Sequence, residues 1–361
     1  MNNYFKENTD PKRIEILQEI KEKYEKGRIS LGEARSQLRD KLGKVQPIEI
    51  SAAEQEYTEF REDQCQVEDM HNITKLFEDL MDMSPPKLPK DHPIAHYYGE
   101  NEYLKKLMES IEDLVQYPVI KNQWYELYDE LDKIRVHFSR KQNQLYPVLE
   151  KKGFDRPTTT MWTFDDYIRD EIKKSRELLD DDEEAFIKAQ KSLVEDILDL
   201  VDKEESILYP TALEMIPPEE FEEMKEGDQE IGFSWIEVNQ REKKEEPKKK
   251  ESELVKDLQT LLSKHQILPH KGELDVSMGK LTLEQINLIY QHMPVDLSYV
   301  DENEIVKFYT DTKERVFPRS KNVIGRDVKN CHPRSSVHVV EEIVEKFRNN
   351  EESEAEFWIN N

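Results

Sequence analysis

One stretch of this chain occurs twice, and the repeat limits what the chain can fold into. His137-Phe138-Ser139-Arg140-Lys141-Gln142-Asn143-Gln144-Leu145-Tyr146-Pro147 returns 63 residues later as Leu200-Val201-Asp202-Lys203-Glu204-Glu205-Ser206-Ile207-Leu208-Tyr209-Pro210. Each copy closes a helical segment with a Leu-Tyr-Pro stop. Each also follows another helical segment with acid or histidine at helical spacing, one running from His92 to Glu100 and one from Asp165 to Glu171. Two helix pairs that end alike predict a four-helix bundle made by duplication, whose inward positions suit a metal or dimetal centre.

A chain of 361 residues is too long for one ordinary core and predicts two or three domains. With 37% charged residues and only 10 glycines it reads as mainly helical with well-solvated surfaces. A net charge of -26 argues against nucleic-acid binding, which needs basic patches. Cys65 and Cys331, far apart, support neither a disulfide framework nor a cysteine zinc site and suit reducing cytoplasm. No apolar run approaches the ~20 residues of a membrane span, and the first residues lack a signal-peptide core.

Helical periodicity marks a first unit over 12–84. Stripes run through Ile14, Leu17, Ile20 and Tyr24 and through Leu31, Ala34, Leu38 and Leu42, and further helices are expected at 51–60 and 66–82, the latter carrying His71. Ser84-Pro85-Pro86-Lys87-Leu88-Pro89 breaks the pattern and sets a boundary. The bundle unit follows over 91–238, ending in Ile231 to Val238, whose alternation predicts a short strand rather than a fifth helix. Residues 239–253 are almost wholly charged and read as a tether. The last unit, 254–361, begins with two amphipathic stretches, through Leu254 to Leu262 and Leu281 to Ile289. It continues with strands near 294–303 and 305–309, a helix from about Ser335 through Phe347 and a strand over Ala355 to Ile359.

In order and wording, "MPVDLSYVDENEIVKFYT", "VIGRDVKNCHP", "SVHVVEEIVEKF" and "EAEFWI" resemble a PAS sensor domain, cut short after its third strand. The bundle resembles the hemerythrin, or HHE cation-binding, family. From about residue 12 onward the chain is similar to bacterial proteins that join an uncharacterised helical N-terminal domain, a hemerythrin-like bundle and a PAS domain. These resemblances imply a mainly α protein: a helical N-terminal domain, an up-down four-helix bundle and an α+β PAS domain.

His92, His96 and Glu100 share one helix face at spacings of four. The hemerythrin-like ligand positions fall ten and six residues before the final proline of each copy. They give His137 and Lys141 in the first copy and Leu200 and Glu204 in the second, with Asp165 where hemerythrins often carry histidine. Glu205 adds a neighbouring carboxylate. The set His92, His96, Glu100, His137, Asp165, Glu204 and Glu205 suits non-haem iron or manganese by ligand hardness. Lys141 cannot ligate while charged, and its ammonium is able to replace a cation; Gln142 is a weak neutral ligand. In the PAS-like region the resemblance suggests a haem held by His338, with His332 and Cys331 as further candidates.

The expected function is a cytoplasmic sensor or metal-binding protein responding to oxygen, nitric oxide or redox state, with a protein partner or self-association through the PAS domain. Two alternatives stand beside it: a carboxylate-bridged metal oxidase or peroxidase-like enzyme, and an interaction scaffold with a vestigial metal site. The absence of a nucleophile–base pair or phosphate-binding glycine loop disfavours hydrolases, kinases and dehydrogenases.

Overall fold

The structure, a computed structural model, describes residues 3–56, 73–77, 79–81, 86–238, 273–310, 312, 320–332 and 334–356. It divides into two compact units, one of residues 1–238 with 319–361 and one of residues 239–318.

In the first unit, helix Pro11–Glu25 starts behind Asp10, whose carboxylate accepts the Lys12 N–H. Helix Leu31–Leu42 opens with a capping box between Ser30 and Glu33 and ends at Gly43, where φ is 68°. Ile14, Leu17 and Ile20 pack with Ala34, Leu38 and Leu42, as the periodicity predicts. Of the helix expected at 51–60 the structure describes 51–56, within Pro47–Glu56, which begins four residues earlier where proline is tolerated. Of the one expected at 66–82 the structure describes Ile73–Phe77; His71 lies outside the described residues. These helices share one hydrophobic core with the bundle, and Ser51 Oγ meets Thr211 Oγ1 across it at 3.0 Å.

The bundle has Pro93–Leu114 as its first arm and Asp155–Asp181 as its third. The second arm runs Lys121–Leu131, Ile134–Arg140, a π turn Lys141–Leu145 and Tyr146–Lys151. The fourth repeats that ending: Glu183–Lys203, a π turn Glu204–Leu208 and Tyr209–Met215. Leu-Tyr-Pro is therefore not a stop. Helix continues through both prolines, each of which stands directly after a π turn and its tyrosine.

A fifth helix, Pro218–Ile231, follows, and the strand expected at 231–238 is absent. Gly232 turns the chain at φ 98°, and Trp235 takes φ 52°. The alternating apolar residues face the bundle instead of a sheet: Trp235 stacks on Tyr103 and donates Nε1–H to Glu130 O at 2.8 Å, and Phe233 meets the His96 ring.

The second unit holds two antiparallel hairpins, Glu273–Asp275 with Lys280–Thr282 and Ser298–Val300 with Val306–Tyr309. Between them Leu283–His292 begins with a capping box from Thr282 and Gln285. The charged tether and the stretch through Leu254 lie outside the described residues. In the C-terminal part of the first unit, 3-10 turns Lys321–Val323 and Val328–Cys331 precede helix Arg334–Arg348. Of the strand expected over 355–359, residues 355 and 356 are irregular and the rest lie outside the described residues.

Candidate metal centre

Four of the expected ligands meet at the middle of the bundle. His137 Nδ1 lies 2.7 Å from Glu100 Oε2, and its Nε2 lies 3.3 Å from both oxygens of Glu204. Lys141 enters the same space: its Nζ donates to Asp165 Oδ1 at 2.6 Å and to Glu204 Oε1. Asp165 Oδ2 accepts from Tyr146 OH at 3.0 Å, and Glu204 Oε2 accepts from Tyr209 OH at 2.7 Å and Asn101 Nδ2 at 3.0 Å. The tyrosine of each Leu-Tyr-Pro thus binds one carboxylate of the centre. Arg140, also buried, donates Nη1–H to Glu100 Oε1 at 2.8 Å and lies 4.1 Å over the Tyr97 ring. Ser234 completes the shell, donating its N–H to Glu100 Oε1 at 2.7 Å and accepting the His137 N–H on Oγ at 3.0 Å.

Opposite charges meet inside this shell. Burial alone would raise the Glu204 pKa, but Lys141 and His137 hold it well below the usual carboxylate range. Burial alone would lower the His137 pKa, yet Glu204 and Glu100 raise it; the imidazole, ammonium and guanidinium groups face Glu100, Asp165 and Glu204, with Asp228 3.4 Å from Arg140 Nε. Burial leaves Asp165 above its ordinary value in spite of Lys141.

Three expected ligands stand elsewhere. His92 caps the first arm, accepting the Ile94 N–H on Nδ1 at 3.1 Å, with its ring against Phe221. His96 is buried against Phe233; burial and then Arg140 push its pKa down to about 4, and Nδ1 makes no hydrogen bond among the described residues. Glu205 is half-buried and held by Lys105 at 2.7 Å. In the PAS-like region His338 is exposed, His332 Nδ1 is bonded to Val328 O at 2.8 Å, and the buried Cys331 thiol is directed to Asp327 O at 3.6 Å. Those side chains cap turns and face solvent, and they do not fit an axial haem ligand.

Residues 92–212 match the family model of the Hemerythrin HHE cation binding domain. The chain carries a hemerythrin-like bundle. Residues 286–361 match a PAS domain, and helices precede both. No curated protein matches the chain. Hemerythrin-like domains bind non-haem metal, typically iron, and PAS domains often mediate protein interaction. Together they support, in general terms, a metal-binding sensor or signalling protein. No helix among the described residues is long and apolar enough to cross a membrane.

The centre of this hemerythrin-like bundle departs from the hemerythrin ligand pattern. The Lys141 ammonium lies between the carboxylates that would bridge or bind a metal, and Leu200, fully buried, offers no donor. Among the described residues, no three His, Cys, Asp or Glu side chains are arranged to hold a metal ion. The side chains present do not fit a hemerythrin-type metal centre. Spacing points to Glu100, and the hemerythrin resemblance to His137, Asp165 and Glu204, but neither points to Arg140, Asn101, Tyr146, Tyr209 or Ser234. The two tyrosines were visible in the repeat itself, since a residue kept in both copies of an inward-facing phrase is placed to bond at the centre.

Proposed function

We propose that the protein is a sensor or signalling protein of the hemerythrin–PAS kind whose bundle is closed by its own cations. In this reading the bundle centre is held by buried ion pairs and the bundle is not a dioxygen carrier. The observation that carries the reading is the Lys141 ammonium, fully buried and bonded to both Asp165 and Glu204. A divalent cation entering there would have to expel that ammonium from two carboxylates or strip its proton, and Lys141 is held above its ordinary pKa despite burial. Input from oxygen, nitric oxide or redox state therefore does not pass through resident iron or manganese in this form of the site. A cytoplasmic setting agrees with two cysteines far apart in sequence.

The test is metal loading. Protein exposed to ferrous iron or manganese under low oxygen and then desalted should retain substoichiometric metal by elemental analysis, and Lys141→Glu should raise retention. A full dimetal load in the unaltered protein, lost in His137→Ala, would overturn this reading and restore gas or redox sensing at a metal.

A further inference from the structure

Pro147 has no N–H, so residue 147 donates neither to Asn143 O, four residues back, nor to Gln142 O, five back. Donors from much later in the chain serve those two carbonyls. Ser320 Oγ donates to Asn143 O at 2.7 Å, and Arg326 Nη1 donates to Gln142 O at 3.0 Å. Arg326 also grips Glu150 with Nε at 2.6 Å and Nη2 at 2.7 Å, and its guanidinium lies 4.9 Å over the Trp162 ring. Asn322 Nδ2 donates to Gln144 Oε1 at 2.7 Å. Gln144 lies so close to Gly227 that a Cβ there would fall 2.0 Å from its Nε2. Ser320, Val323 and Arg326 are 3%, 1% and 3% exposed, so these contacts are an interior seam.

The second copy of the repeat provides a comparison within the molecule. Pro210 likewise lacks a donor, but Glu205 O, five residues back, accepts from Tyr98 OH at 3.3 Å, a side chain of the bundle itself. The first π turn thus takes its donors from the PAS-matched region, while the second has a donor at hand. The first turn also carries the polar centre: Lys141 opens it, Tyr146 follows it, and both bond to Asp165. Gln142, whose carbonyl Arg326 holds, is the residue next to Lys141.

We propose that the segment 320–332 is an intramolecular clasp that fixes the register of the first π turn. In it, Arg326 is the positioning residue through which a change in the PAS-matched region reaches the Lys141, Asp165 and Glu204 centre. Coupling of this kind is reciprocal: whatever disturbs the centre also loosens the clasp. The inference rests on backbone carbonyls and the Arg326–Glu150 pair, and it stands whether the centre takes up metal or keeps its ammonium.

Amide hydrogen exchange of the full chain tests it, with 204–209 as the internal comparator. Arg326→Gln should speed exchange across 141–149 by at least roughly tenfold and leave 204–209 unchanged. Ser320→Ala, a milder change, should act in the same place to a smaller extent. The His137 ring resonances, which Arg326 does not touch, should shift in Arg326→Gln. No change across 141–149 in both variants, or an equal rise in the two π turns, would overturn the proposal, as would unmoved His137 resonances.

Discussion

Lys141 is the residue on which the centre turns. Removing its charge leaves Asp165 without its ion-pair partner and Glu204 with His137 alone, and breaking a buried pair of this kind costs ~3–5 kcal/mol. Lys141→Met should lower stability by that amount in urea unfolding, and adding Glu204→Gln should recover part of it. The two buried histidines act in opposite pH windows. His137, raised above its ordinary value, contributes stability that is fully present below about 6.5 and lost as pH rises through its folded pKa. His96, lowered to about 4, favours the fold while neutral; that preference is full above 6.5 and lost as pH falls towards 4. His137→Gln should flatten the stability profile on the alkaline side and His96→Phe on the acid side, read from unfolding midpoints at pH 5, 6.5 and 8. Glu100 is legible because i, i+4 spacing fixes a helix face, whereas His137, Asp165 and Glu204 follow from the resemblance to hemerythrin ligand positions. The guanidinium of Arg140 is not legible, because an arginine at that spacing is ordinarily solvated and it is Tyr97, Phe233, Glu100 and Asp228, from other segments, that surround it.

At the scale of elements, the loop after the fifth helix is a plug. Ser234 Oγ donates to Lys133 O at 2.7 Å while accepting the His137 N–H, so one hydroxyl ties the loop to two turns of the second arm. Ser234→Ala strands a buried amide and should cost ~1–3 kcal/mol, seen as a lower thermal midpoint. The alternation at 231–238 predicts a strand because period two looks the same when apolar residues insert into a bundle as when they line a sheet. The π turns were equally hidden, since one extra residue in a turn barely alters helical periodicity and proline after Leu-Tyr has the look of a terminus. Helix existence and caps, by contrast, could be read locally: Ser30 with Glu33 fixes a start wherever it occurs.

Across the molecule, the charge of -26 repels itself at the surface, whereas the pairs in the centre are out of reach of salt. The thermal midpoint should therefore rise between about 0.02 and 0.2 M sodium chloride as repulsion is screened; a fall would mean that exposed ion pairs dominate. The mainly α class and the two family resemblances were legible from repeat and wording. The joining of 319–361 to the unit that holds the bundle was not, because Ser320 and Arg326 carry no local signal of the carbonyls they serve, some 180 residues earlier. That separation has a consequence for how the protein is made. A ribosome adding ~5–20 residues per second completes the bundle helices seconds before Arg326 emerges. During that interval the first π turn exists without its donors while the second already has Tyr98, so the two halves of a duplicated bundle reach maturity at different times.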